Sequence, residues 1–574
     1  MTVAWTHGPV AEAVRASMEN RLRRFIRDAD SESVKIFDRE KRADVGDWYG
    51  EHLGKWLVAA SHAALRTGDP ELSGSVAGVV AHILSQQEPD GYLGTYTNDA
   101  ACRFTNPESE KGRTWDLWVH AWNIKGLLAA VEVPGVEGAK EAAYRIGDLL
   151  AETFRERSVL DLGNHVGLSS AVLIEPLCLL TLHHEGDPKY ADLARRTVEE
   201  MEARGLPILS IGEGNIDVSA LGTGKAYQIL WVAAGLTALS WAVGDERFLK
   251  SAQAIWESVA NDHLTPLGGP WGGVGKHKEC FNEAGYFGPY GMVETCSAAS
   301  WMLLSRELFI LTGEEKYVAA FERTLLNTLL GAMEPGGREW CYFTFPNGHR
   351  HHTYHWACCK SSGAMALEEA SDMVVSPMGK ETPESPPGIQ INLLLSCETG
   401  DNGLRFRIEE NSVTILEAPS GPRALAIRIP EWADLKSVRL NSEPRPERPD
   451  NRYLHLVGVW KPGDRIELDL EIPIRVHPFT YSVDHHGQEV VRQDYACVSR
   501  GPYVYATGLI DGYRREETLR LARLNPESWF RVTGERTIEL RQPGRDPIVF
   551  QPYFEAGGRH DGAWRATWMG VAWQ

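Results

Sequence analysis

Positive charge is in short supply in this 574-residue chain: 59 Lys and Arg stand against 78 Asp and Glu, a net charge of −19. A surface of that sign repels phosphates, which argues against nucleic acid or an anionic membrane as the main partner. Long apolar runs are missing too. No stretch approaches 18 uninterrupted apolar residues, so the sequence predicts no membrane span. The opening MTVAWTHGPVAEAVRASMENR lacks the basic stretch and apolar core of a secretory signal. Cysteine is sparse and odd in number, nine, with no framework spacing, which excludes a disulfide scaffold. A reduced, cytoplasmic protein is the expectation, with thiols free for metal or catalysis.

What is present is an ordinary globular balance, 43% hydrophobic and 24% charged, in a chain long enough for two or three domains of roughly 150 residues. Residues 1–375 read as helix. Helical segments stop at short turns, RTGDPE, HEGDPKY, VGDERF and TGEEKY, whose glycines are Gly68, Gly186, Gly244 and Gly313. Glycine suits the left-handed end of one helix, and the acidic residue after it suits the start of the next. The turns recur at multiples of a two-helix unit, with VPGVEGAK at 133–140 in the gap, so about six helical hairpins fit. Such hairpins bury their faces on one another and close into an (α/α)6 toroid; an open α-solenoid is the alternative.

The pattern changes at SPMGKETPESPPG (376–388), a stretch that reads as a linker. Beyond it come short alternating runs such as GLRFRIEE, ALAIRIPEW and DRIELDLEIPI, the signature of antiparallel β-sandwich. The expected division is therefore 1–375 catalytic and 376–574 a β-sandwich region, with room for two small sandwiches.

Two clusters carry chemistry. Residues 355–363, HWACCKSSG, set Cys358 beside Cys359. A routine disulfide between neighbours is strained. Packing, a metal or a nucleophile remain. Residues 275–296 contain Glu294 and Cys296 two apart. One carboxylate and three sulfurs are a full tetrahedral set for zinc, although this spacing matches no common finger and buried cysteines are often inert.

ETCSAASW, the adjacent cysteines, DGYLGTY at 90–96, LAIRIPEWA and SRGPYVYA resemble glycoside hydrolase family 127, in order from about residue 45 to 511. The resemblance implies an (α/α)6 barrel followed by β-sandwich domains. It implies a zinc ion on Glu294, Cys296, Cys358 and Cys359, with Cys358 as nucleophile. It implies an acid/base glutamate near Glu279, with Glu283 as competitor. His120, His165 and Tyr342 match sugar-contacting positions, and Lys225 stands where the family has a histidine. The activity so implied is a zinc-dependent, retaining exo-glycosidase that forms a thioglycosyl intermediate. Its substrate would be a glycoside or oligosaccharide ending in L-arabinofuranose or a modified pentose, an acidic one if Lys225 meets a carboxylate. A polysaccharide lyase or epimerase on the same barrel, and a zinc-stabilised glycan-binding protein without activity, are the competing readings. A homodimer is left open.

Other residues carry blander expectations. His349, His351, His352 and His355 form a loop expected to line the site entrance. Cys280 and Cys341 are expected to pack near it, and Cys102, Cys178, Cys397 and Cys497 to pack in cores. The nineteen tryptophans fit core packing before sugar stacking.

Overall fold

The structure is a computed structural model that describes residues 2–42, 48–97, 103–105, 115–183, 187–214, 216–273, 278–353, 357–378, 386–401, 403–508 and 518–574. Among these, twelve helices alternate between two roles. α1 (Pro9–Ser17), α3 (Pro70–Gln86), α5 (Ala139–Thr153), α7 (Pro188–Ala203), α9 (Glu246–Asp262) and α11 (Glu315–Arg323) bury one stripe and expose the rest. α2 (Glu51–Thr67), α4 (Asp116–Ala130), α6 (Ile174–His183), α8 (Ala226–Val243), α10 (Thr295–Thr312) and α12 (Cys358–Glu369) are buried nearly all round. A helix that is apolar on every side must be enclosed. The enclosure is a ring: α2 packs on α4, α4 on α6, α6 on α8, α8 on α10, α10 on α12, and α12 back on α2. This is the (α/α)6 toroid expected from the turn spacing.

Small residues let the ring close. A Cβ on Gly54 of α2 would come within 2.3 Å of the Trp122 carbonyl oxygen, and one on Gly126 of α4 within 2.9 Å of the Gly54 carbonyl. The two helices touch backbone to backbone there. The inner-to-outer turns are short, and Gly68, Gly244 and Gly313 end α2, α8 and α10 in the left-handed region at φ 65°, 69° and 71°. Gly186 lies outside the described residues. At the other end of the ring the connections are long, and they carry the site.

Helix α8 is long and apolar enough to cross a membrane by length and composition, although the sequence predicts no span. In the structure it is the hydrophobic wall between α6 and α10, with 83% of the stretch buried.

The β region has two parts. In the first, a seven-stranded sheet faces a four-stranded one. The strands are β1 (Ala4–Trp5), β2 (Val375–Pro377), β3 (Gly388–Ile391), β4 (Cys397–Asp401), β5 (Leu404–Glu409), β6 (Ser412–Glu417), β7 (Arg423–Arg428), β8 (Asp434–Leu440), β9 (Glu443–Arg445), β10 (Tyr453–Gly458) and β11 (Arg465–Glu471). The sheet orders are β1-β4-β5-β6-β11-β8-β9 and β10-β7-β3-β2. Two details depart from the sequence reading. The N-terminus supplies an edge strand, Ala4 opposite Glu398. One pair, β3 with β7, is parallel. The stretch 376–388 is also partly strand, since β2 ends at Pro377 and β3 begins at Gly388; residues 379–385 lie outside those described.

The second part is an eight-stranded sheet built on the long hairpin of β12 (Ile474–His485) and β13 (Gln488–Arg500). The sandwich keeps a core of its own around Phe406, Ile427 and Leu454. The last sheet shares one core with the helices, through residues such as Val498, Tyr505 and Met569.

Candidate active site

The inner helices start where the long loops meet, and their first residues converge. Glu51 opens α2 and Asp116 opens α4. Lys225 precedes α8 and Glu294 precedes α10. Cys358 opens α12. A helix N-terminus presents unpaired N–H groups and the positive end of the backbone dipole, so carboxylates and thiolates are favoured there.

Glu294, Cys296, Cys358 and Cys359 meet, their ligand atoms all within 4.8 Å of one another. The Cys296 sulfur lies 3.3 Å from both Cys358 and Cys359, which are 3.9 Å apart. Tetrahedral thiolate coordination at about 2.3 Å places sulfurs about 3.8 Å apart, so the spacing and donor set fit a zinc-sized cation. Ser297 Oγ donates to Glu294 Oε2 at 2.8 Å and fixes its orientation. Burial pushes the thiols of Cys296 and Cys359 well up. The Cys358 thiol is held well below its ordinary value, first by the bonds to Cys296 and Cys359, then by the charge on Lys55 against a burial penalty.

Beside the cluster stands a second group. Tyr342 is carried on the segment next to a short ladder of Val293–Glu294 with Phe343–Thr344, and its carbonyl accepts from Thr295 N at 3.0 Å. Its hydroxyl lies 3.7 Å from the Cys358 sulfur and donates to Glu279 Oε1. The other Glu279 oxygen forms an ion pair with Lys225. Two backbone bonds hold this loop: Ala226 N to Glu279 O at 3.0 Å and Phe281 N to Gly224 O at 2.8 Å. Glu279 is 13% exposed at its side chain, whereas Glu283 is exposed at the surface. Lys225, at 7%, is not a helix residue turned to solvent.

One part of the site has no counterpart in the sequence reading. Lys55 and Glu51 form a fully buried pair, Nζ to Oε1 3.1 Å, one turn apart on α2. Trp118 Nε1 donates to Glu51 Oε2 at 2.5 Å. Trp122 and Tyr227 face the Lys55 ammonium at 4.9 and 5.2 Å. Burial raises Glu51 to about 7. Burial opposes the Lys55 charge, but Glu51 and the sulfurs of Cys296 and Cys358 hold it above the ordinary lysine value. The signal was available: EHLGK puts opposite charges four apart at the start of a mostly apolar helix, a spacing that demands a reason. Of the tryptophans, Trp118 and Trp122 thus serve the site, while Trp301 and Trp340 are core.

The remaining expectations divide. His120 is wholly buried, with Nδ1 donating to Asp116 O at 2.8 Å and Nε2 accepting from Leu93 N at 3.3 Å. Both ring nitrogens are used, so it orders the 90–96 turn and offers no atom to a sugar hydroxyl in this state. His165 is half-buried, in the left-handed region at φ 56°, with Nδ1 3.0 Å from Thr223 Oγ1, two residues before Lys225. Of the histidine loop, His349 and His352 are tied to the C-terminal residues Trp564 and Asp561. His349 packs on Trp564, and His352 Nδ1 bonds Asp561 at 2.5 Å. His351 is exposed, and His355 lies outside the described residues. Cys280, Cys341, Cys178, Cys397 and Cys497 are buried in packing positions; Cys102 lies outside those described.

Comparison with known proteins places this geometry. A model of the β-L-arabinofuranosidase GH127 catalytic domain matches residues 6–372, and one of the GH127 middle domain matches 406–472. The non-reducing end β-L-arabinofuranosidase of Bifidobacterium longum subsp. longum is 22% identical over 510 residues, 80% of this chain and 75% of that protein. The crystal structure of a GH127 β-L-arabinofuranosidase from Geobacillus stearothermophilus T6 superposes with a TM-score of 0.76 at 17% identity, covering 100% of both chains. A second GH127 β-arabinofuranosidase structure gives 0.76 at 17%, covering 100% of this chain and 97% of that one. With its helical ring matched from end to end, the chain belongs to the β-L-arabinofuranosidase family of glycoside hydrolases, GH127.

Proposed function

We propose that this glycoside hydrolase removes a terminal L-arabinofuranose or related pentose with retention, using Cys358 as nucleophile and Glu279 as acid/base. The observation that carries the reading is the Tyr342 hydroxyl, which touches both the Cys358 sulfur and the Glu279 carboxylate. Retaining hydrolysis needs a nucleophile and a proton donor on one glycosidic bond, and here one phenol links the two.

Glu294, Cys296, Cys358 and Cys359 would hold zinc, which when bound keeps the sulfurs as thiolates at neutral pH. The Cys358 thiolate attacks the anomeric carbon while Glu279 gives its proton to the departing oxygen. The carbon–sulfur bond so formed breaks when Glu279 takes a proton from water and the water oxygen attacks the same carbon. Lys55 places positive charge beside the nucleophile, and the aromatic rings around it exclude water. His165 and Tyr342 are the sugar-contacting candidates; His120 supports the site through the 90–96 turn. Reduced thiols suit a reducing, cytoplasmic setting.

The sugar is narrowed by Lys225. An ammonium beside Glu279 favours its carboxylate form, yet the first step needs the acid. A substrate carboxylate would draw Lys225 away and free Glu279 to be protonated, which favours an acidic pentose. Expected from an assay of zinc-loaded protein with aryl β-L-arabinofuranoside and an acidic pentoside is turnover that Cys358→Ser lowers by at least about 10³-fold. Glu279→Gln should cost about 10²–10⁴-fold, less with a phenolate leaving group that needs no proton. Full turnover in Cys358→Ser ends the nucleophile reading. Unchanged preference between the two sugars in Lys225→Met ends the acidic-sugar reading.

A further inference from the structure

A cavity lies behind the helix that carries the cysteines. Side chains along α12 step by 100°, so Cys358, Cys359 and Ser362 share the catalytic side and Lys360 and Ser361 turn the other way. On that other side is a cavity of about 420 Å³, in the size range that holds small-molecule ligands. Its lining is cationic in a strongly acidic protein: Arg21, Arg24, Arg338 and Lys360 against Glu32 and Glu339.

The two buried cations are in different states. Lys360 is neutralised by Glu339, Nζ to Oε2 2.6 Å. Arg21, 5% exposed, has no carboxylate within ion-pair distance among the described residues. Its guanidinium stacks 3.6 Å over the Phe25 ring and donates to Ser361 Oγ at 3.0 Å, and Ser361 Oγ in turn lies 2.8 Å from His52 Nδ1. Burial pushes Arg21 down to about 9, against the more distant pull of Glu339. A buried guanidinium is costly unless an anion compensates it. Arg24, exposed at the same cavity, also has no carboxylate in ion-pair range among the described residues. Two arginine forks with open donors match the oxygens of a phosphate or carboxylate.

We propose that this cavity binds a small organic oxyanion, a sugar phosphate or a sugar acid, held by Arg21 and Arg24. The volume exceeds a bare ion, and the Phe25 ring gives the body of the ligand an apolar face. The site is separate from the catalytic one: Glu51 and Lys55 point from α2 toward the sulfurs, while His52 lies against Ser361.

The test is calorimetric titration of zinc-loaded full-length protein with arabinose 5-phosphate, galacturonate and inorganic phosphate in turn. Expected is a Kd below about 1 mM for the phosphate ester or the sugar acid, with phosphate alone weaker by tenfold or more. Arg24→Ala should weaken the tight ligand about tenfold, Arg21→Met should abolish binding, and Cys358→Ser should leave it unchanged. Arg24 is on the surface, so its variant stays informative even where Arg21→Met fails to fold. Three silent titrations to about 10 mM overturn the proposal, and so does binding that Arg24→Ala leaves intact or that Cys358→Ser removes. Tightest binding by inorganic phosphate reduces the site to an ion site and overturns the sugar-sized ligand.

Discussion

Half of the outer helices of the toroid, α3, α7 and α9, begin in the opposite way to the inner ones. Three outer helices are capped by aspartate: Asp69 accepts from Leu72 N at 2.7 Å, Asp187 from Lys189 N at 3.1 Å, and Asp245 from Arg247 N at 3.0 Å. Of the inner helices α2, α4, α8, α10 and α12, none has a side-chain cap at the residue before it: Gly50, Trp115, Lys225, Glu294 and Ala357. An absent cap forgoes about 1 kcal/mol of stability at each helix. Helices α3, α7 and α9 of the outer ring take that stability; the inner ring leaves its N–H groups and dipoles for the site. Stability and chemistry are thereby divided between the two ends of the same hairpins.

The strongest way to break this division is to disturb the inner ring. Lys55→Met leaves Glu51 without its partner in the core, an expected loss of about 3–5 kcal/mol in denaturant unfolding. The double variant Glu51→Gln/Lys55→Met should recover most of that stability but not the turnover, because charge beside Cys358 is still missing. Full activity in the double variant would reduce the pair to packing.

Next in size is the cluster itself. Cys296→Ser should lower bound zinc, measured by elemental analysis, from about one per chain to a small fraction, with a fall in Tm that added zinc does not restore. Equal zinc content in both proteins would rule the cluster out as the site. A smaller perturbation installs an outer-ring feature on an inner helix. Ala357→Asp gives α12 a capping carboxylate beside the thiolates. Turnover should fall at least about tenfold with stability unchanged or improved by about 1 kcal/mol.

The smallest effect belongs to the outer ring. Asp245→Asn removes a carboxylate whose bonds to Arg247 hold it below its ordinary value. A depressed carboxylate stabilises the fold above its unfolded pKa, and that contribution is lost as pH falls through the folded value. The difference in Tm between the two proteins should therefore be small at pH 7 and vanish as pH falls below the folded value, with turnover the same in both.

The sequence announced the features that are local. Glycine turns such as Gly68, Gly244 and Gly313 mark helix ends by backbone conformation alone, so the six hairpins were legible. Alternation in DRIELDLEIPI marks a half-buried strand, so the sandwich was legible too. Glu294, Cys296, Cys358 and Cys359 could be read from the sequence as a zinc-type donor set, but resemblance was needed to favour that over packing, since Cys296 and Cys358 are 62 residues apart and the ring closure of α10 on α12 brings them together. The pairing of Lys225 with Glu279 and the edge strand β1 were not legible, because each depends on a contact across the fold that no periodicity encodes. The partners of His120 were not legible either: Leu93 N in the 90–96 turn takes Nε2, and the Asp116 carbonyl one helical turn back takes Nδ1.

The strand Asn347–His349 pairs with Trp564–Ala566, and buried Arg350 donates to the carbonyls of Tyr553 and Phe554 at 3.1 and 2.6 Å. The segment leading into Cys358 therefore hangs on residues made some two hundred positions later. On the ribosome the helical ring can form early, as N-terminal domains do. The strand Asn347–His349 lacks its partner until residues 564–566 emerge. Catalytic competence waits for residues 553–566, and from the completion of α12 until they emerge the nascent chain is a barrel without a finished mouth.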